Sequence, residues 1–119
     1  MNWYLAKIVY QIVCGDGEHP AQFDEQLRLI NATDHLDAFY KSREIGGSEE
    51  DTFLNDVNKP VKWKFIDVAE VYLLDKLIDG AEVYSRIHED DDADSYIRSV
   101  KSRAAYLLET ADERSLALN

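Results

Sequence analysis

From Trp3 to Cys14 the chain alternates with period two: Tyr4, Ala6, Ile8, Tyr10, Ile12 and Cys14 are apolar or aromatic, while Lys7 and Gln11 interrupt the opposite set. Side chains that point alternately to two sides give a strand this repeat. Trp3, Leu5, Val9 and Val13 make the second face apolar as well, so the strand is expected inside a sheet or at an oligomer contact. Cys14-Gly15-Asp16-Gly17-Glu18-His19-Pro20 is turn chemistry, because its glycines tolerate positive φ and its proline withholds a ladder donor. A hairpin is the result. Beyond it Phe23, Glu25, Leu27 and Leu29 alternate with Gln22, Asp24, Gln26 and Arg28, which predicts a second strand with one buried and one solvated face.

The repeat then lengthens. Thr33 or Asp34 can cap free amides, and Leu36, Phe39, Tyr40 and the stem of Arg43 recur at helical spacing up to Ile45-Gly46-Gly47, so a helix is predicted over 34–45. Residues 48–60 are polar and acidic and read as a loop with a short helical turn, anchored by Phe53, Leu54 and Val57. Val61, Trp63 and Phe65 alternate with Lys62 and Lys64 as a third strand. Residues 68–78 fit either a helix or a continuation of the sheet past a bulge, with the strand preferred. Asp79-Gly80 is a turn pair, and 81–88 beyond it reads as a strand with Val83 and Ile87 inward, making a second hairpin. Ile97, Val100, Ala104, Leu107, Leu108 and Ala111 share one stripe of a last helix between Asp94 and about Asp112. The expected fold is α+β: an antiparallel four-stranded sheet in the order β-β-α-β-β-α, with two helices packed on one face. The 119 residues are read as a single domain, with a core over 1–88 and an acidic lead-in and amphipathic helix over 89–119.

Charge narrows the choice of partner. Against 13 Lys and Arg stand 24 Asp and Glu, a net −11 that disfavours a phosphate backbone, so nucleic acid is excluded. No apolar run approaches a membrane span and no leader pattern precedes the first strand, so neither membrane insertion nor export is expected. One cysteine, Cys14, closes no internal disulfide and builds no thiolate metal site, which fits a reducing cytoplasm.

Four short motifs carry a resemblance: Trp3-Tyr4-Leu5-Ala6-Lys7, the segment from Phe23 to Ala32, Trp63-Lys64-Phe65, and Asp79-Gly80-Ala81-Glu82-Val83-Tyr84-Ser85. Together, over about residues 1–88, the chain resembles a family of small bacterial proteins catalogued as a domain of unknown function. The resemblance implies a common fold and brings no assigned reaction, cofactor or catalytic residue.

Candidate chemistry is sparse. Glu89, Asp90, Asp91, Asp92 and Asp94 lack the spacing of a calcium loop and read as carboxylates at a helix N-terminus, while His19, His35 and His88 lack metal-ligand spacing. No metal or cofactor is therefore assigned, and no catalytic residue. An aromatic sheet face with lysines resembles a single-strand stacking platform, but the net charge favours an oligomer contact through Trp3, Val9, Val13 and Tyr72. The expected function is that of a non-catalytic, homodimeric binding module whose acidic loops meet a basic protein. The alternative is a ligand or enzymatic site in a cleft between the sheet and the 48–60 loop, with Tyr84, Glu82, Arg86 and His88 as acid, base or anion contacts.

Overall fold

A computed structural model describes the backbone of residues 1–118 and the side chains of residues 1–111. Its contacts divide the chain into two compact units, Met1–Ser85 and the segment from Arg86 on. The first holds β1 (Asn2–Cys14), β2 (Gln22–Ala32), α1 (His35–Ser48), β3 (Asp51–Leu54) and β4 (Pro60–Leu74); the second holds α2 (Ala93–Leu118). The class is α+β and the β-β-α-β-β-α order is kept, although the two strands after α1 are not the two expected.

The sheet is antiparallel throughout, ordered β2-β1-β4-β3. β1 is central because both of its faces are apolar, which a strand at a wet edge cannot afford. Two stretches read separately, 61–66 and 68–74, are one strand: β4 runs unbroken past irregularities between Lys7/Ile8 and Val9/Tyr10 of its β1 register. The segment 48–60 corrects the expectation of a loop. Asp51–Leu54 pairs with Pro60–Trp63, and the connection is an Asn-rich turn in which Asn55 Oδ1 accepts the Val57 and Lys59 N–H groups and Asn58 takes a φ of 61°. Its expected anchors are poorly covered: Phe53, Leu54 and Val57 are all exposed, and Phe53 stacks on Trp63. The second hairpin is absent. Gly80 does turn the chain at φ 82°, with Ala81 N–H donating to the Ile78 carbonyl, but 81–88 has no regular structure because no ladder partner meets it.

α1 settles which side of the sheet becomes core. Asp34 caps it by accepting the Asp37 N–H at 2.8 Å, and Asp37 answers by accepting from the Thr33 N–H at 2.9 Å. Sequence spacing points to Leu36, Phe39 and Tyr40 as the inward stripe, yet Leu36 and Tyr40 are exposed. The buried positions are Ala38, Ser42 and Gly46, one turn apart. These small residues let the helix backbone lie close to the sheet over Tyr4, Ala6, Ile8, Tyr10, Ile30 and Ala32. Ser42 turns its hydroxyl back on the Ala38 carbonyl at 2.7 Å. Tyr10 donates to the Gly46 carbonyl at 2.9 Å. Gly46 therefore belongs inside the helix, which ends only at Glu49; a Cβ there would overlap the Phe65 ring.

In the second unit α2 begins at the acidic run, where Asp92 Oδ1 accepts the Ser95 N–H at 3.0 Å and Asp90 Oδ1 accepts the Asp92 N–H at 2.9 Å. Within this unit no other element of regular structure covers the stripe Ile97, Val100, Leu107 and Leu108, all exposed. Among the described residues no helix is long and apolar enough to cross a membrane.

The helix-to-sheet contact yields a test. Gly→Ala inside a helix normally gains up to about 1 kcal/mol, but forcing a methyl into a packed contact costs about 1–3 kcal/mol. Gly46→Ala is expected to lower the urea unfolding midpoint, with a net loss of about 1–2 kcal/mol. Tyr10→Phe, which strands a buried carbonyl, should lose about 1 kcal/mol. An unchanged or raised midpoint for Gly46→Ala would show that α1 does not sit so close to Phe65.

Candidate functional site

Register places the face opposite α1. Residues directly across from one another share a side, so Leu29, Leu5 and Tyr72 form one row, Leu27, Lys7 and Glu70 the next, and Glu25 stands across from Val9. Nothing polar dominates here. β2 carries its apolar set on this side, where Phe23, Leu27 and Leu29 are 56%, 49% and 55% exposed. The predicted solvated set, Asp24, Gln26 and Arg28, lies on the α1 side in a partly covered ladder: Gln26 Nε2 donates to Asp24 at 2.7 Å, and Arg28 donates to Gln26 Oε1 and pairs with Glu49 at 2.9 Å. Trp63 reaches across β1 to donate from Nε1 to the same Asp24 carboxylate at 3.1 Å. The apolar side of β2 is thus the exposed one, and the face joins it to Trp3 and Tyr72, both exposed, and to Val9 and Val13, half-buried. The four residues expected at an oligomer contact lie on this one surface.

Lys7 and Glu70 form its charged centre. Lys7 Nζ lies 3.5 Å from Glu70 Oε2 and 5.5 Å from the centroid of the Tyr84 ring, which meets Tyr72 edge-on at 5.8 Å. Glu70 Oε2 is shut off from solvent and makes no hydrogen bond, so the ammonium is its compensation. Burial works against the charge on Lys7, but the Glu70 carboxylate, with Tyr84 and Glu25, outweighs it and holds the ammonium above its ordinary pKa. Burial, followed by Glu70, also raises the Tyr72 phenol.

Two cavities flank β4. One, of about 510 Å³, lies between Tyr72–Lys76 and the returning segment 81–85, so Glu82 and Tyr84 share a wall with Tyr72. The other, of about 410 Å³, lies between His35, Leu36 and Phe39 of α1 and Val68–Val71. Of the four residues expected to act together, Tyr84 and Glu82 are brought to one cavity. Arg86 and His88 belong to the second unit, where His88 packs edge-on against Tyr96 at 5.0 Å. The 48–60 segment, expected as a loop beside the cleft, joins the sheet as β3, and neither of these two cavities is lined by it. Lys7 and Glu70 escape a sequence reading: the two bulges of β4 set which residue faces Lys7, and alternation alone cannot count through them.

Among the described residues no group of His, Cys, Asp and Glu is arranged to hold a metal ion. The acidic loop residues are occupied locally. Glu49 pairs with Arg28, Glu50 accepts the Phe65 N–H at 2.8 Å, and Asp51 accepts the Thr52 N–H. Cys14 is half-buried, and its N–H donates to Nε2 of His19 at 3.0 Å.

Residues 3–85 match the model of a family described as a domain of unknown function, DUF4288. No curated protein and no solved structure matches the chain.

The raised Lys7 and Tyr72 groups both favour the protonated form in the fold. Their contribution to stability is complete below the unfolded-state values, near pH 10, and is lost as pH rises through the higher folded ones. Glu70→Gln removes a cause common to both. Urea midpoints measured at about pH 8 and about pH 11 should therefore converge in the variant relative to the natural chain, with the burial-raised Tyr10 supplying the remaining alkaline loss. An unaltered pH dependence would remove Glu70 from this account.

Proposed function

The chain belongs to the DUF4288 family, and since that membership assigns no activity, we propose that the protein is a non-catalytic interaction module that pairs with a second copy through the open sheet face and offers its acidic surface to a basic partner. The observation that carries this reading is the exposure of Phe23, Leu27 and Leu29 beside Trp3 and Tyr72, a contiguous apolar area on the side of the sheet that α1 leaves uncovered.

A second copy suits the face because its charges balance: Lys7, Lys62 and Lys64 stand against Glu25, Asp67 and Glu70. Lys62 and Lys64 stand across from Val13 and Gln11 at one corner, Glu25 and Asp67 stand across from Val9 at the β2 and β4 sides, and Lys7 with Glu70 is neutral at the centre. A two-fold arrangement sets the β2 side of one copy over the β4 side of the other in an isologous contact. On a chain of net −11 two copies of this face repel each other little, since its lysines offset its carboxylates. The remaining carboxylates raise the encounter rate with a basic protein, and a lone half-buried thiol suits the cytoplasm.

Size-exclusion chromatography with light scattering at high micromolar concentration should give about twice 13.7 kDa. The double variant Leu27→Glu, Leu29→Glu should run as a folded monomer, whereas Leu36→Glu, on the other side of the sheet, should remain paired. A natural chain of 13.7 kDa at that concentration, or pairing indifferent to the β2 substitutions, would overturn the reading.

A further inference from the structure

The turn that joins β1 to β2 closes on one imidazole. The last ladder pair of the two strands is Ile12 with Gln22, and Cys14 lies two residues beyond it. Its carbonyl accepts the Gly17 N–H at 3.0 Å, and its own N–H, past the end of the ladder, donates to Nε2 of His19 at 3.0 Å. The other ring nitrogen, Nδ1, stands 2.8 Å from the Pro20 carbonyl. Both partners have fixed roles. A backbone N–H can only donate and a carbonyl can only accept, so Nε2 must be bare and Nδ1 must carry the proton. The half-buried ring therefore fits the turn in one state alone, neutral and protonated on Nδ1. A second proton, on Nε2, would set donor against donor.

We infer that His19 is an acid-operated latch on the β1–β2 turn: protonation of its Nε2 frees the Cys14 N–H, loosens residues 14–20 and weakens pairing through the open face. The effect on pairing rests on the open-face reading, whereas the latch itself does not. Val13 links the two. A methyl built on Gly17 would stand 3.7 Å from Val13 Cγ1, so the turn lies against a residue of that face, and Phe23 follows in the next ladder pair, across from Gln11. The turn is also tied to β4, since Gly15 N–H donates to the Pro60 carbonyl at 2.8 Å. Histidine exchanges its proton between about pH 5 and 8, an interval in which ordinary carboxylates, thiols and lysines change little. The titratable groups of the turn and of the segments bonded or paired to it are the Cys14 thiol, Asp16, Glu18, Asp24, Lys59 and Lys62. None of the ion pairs among the described residues includes His19, so its two hydrogen bonds decide which state of the ring fits. Bulk charge acts in the opposite direction. Acid reduces the magnitude of the net −11 and with it the repulsion between copies, which makes weaker pairing in acid a signature of the turn.

The test uses the full chain, isotope-labelled, compared by NMR at about pH 8 and about pH 5.5. At the higher pH the ring nitrogen shifts of His19 should report the Nδ1–H tautomer. On acidification the Cys14 amide should lose about tenfold of its protection against hydrogen exchange, in step with the His19 ring titration, while the Ile8 amide at the centre of β1 keeps its own. The dissociation constant of the pair, from light scattering over a dilution series, should rise severalfold across the same interval. His19→Ala should leave the Cys14 amide unprotected and the dissociation constant equal at both pH values, whereas His88→Gln, in the second unit, should keep both responses. An Nε2–H tautomer at about pH 8, or Cys14 protection that ignores the His19 titration, would overturn the latch. A Cys14 response with an unchanged dissociation constant would overturn the control of pairing and leave the open-face reading standing. Conversely, a chain monomeric at both pH values that keeps the Cys14 response would retain the latch and discard the pairing.

Discussion

The close seat of α1 on the sheet governs the rest of the first unit. Ala38, Ser42 and Gly46 form a stripe without bulk, and the strand residues beneath it include Ala6 and Ala32, so backbone approaches backbone with little side chain between them. Larger groups then fill the margins: Phe65 under Gly46, Tyr10 locked to the Gly46 carbonyl, and Phe39 beneath the Arg43 guanidinium, 4.5 Å from its ring centroid. Because the helix is fixed by shape complementarity at its smallest residues, it cannot move to the more hydrophobic side of β2 without trading that fit for a looser one.

That constraint explains the polarity of the sheet. Close seating over Ala6, Ile30 and Ala32 commits even-numbered positions of both strands to the helix side, and Asp24, Gln26 and Arg28 of β2 follow by parity. They lie under less of the helix and satisfy one another and Trp63 in a hydrogen-bonded chain. Phe23, Leu27 and Leu29 are carried to the other side by the same parity. The exposed apolar face is therefore a consequence of where the small residues lie.

How much of this was legible in the sequence depends on the signal each element carries. β1, β2 and the capped start of α1 announce themselves through period two, paired glycines and Asp34, and the class follows from them. Leu36 and Tyr40 misdirect the reading of α1, since hydrophobicity marks the larger residues while the fold selects on volume. β3 is hidden because Asp51–Leu54 is short and flanked by polar residues, and its identity comes from pairing with β4. Val83 and Ile87 show the converse: a sequence with a strand's alternation stays irregular where no neighbour meets it. At the candidate site Tyr72 and Tyr84 could be named from their aromatic character, but their meeting with Lys7 and Glu70 depends on two bulges that no local pattern encodes.

The carboxylate of Asp67 closes one position on the outer edge of β4. It occupies the Val68 N–H, and the guanidinium of Arg43, bonded to both of its oxygens at 2.9 Å, holds it below the usual carboxylate range. A strand edge guarded by an ionised group loses that guard in acid, when neutral edges can zip onto one another into fibrils. The Arg43 pair moves this threshold to lower pH, so that edge position stays closed further into acid than an unassisted aspartate would allow.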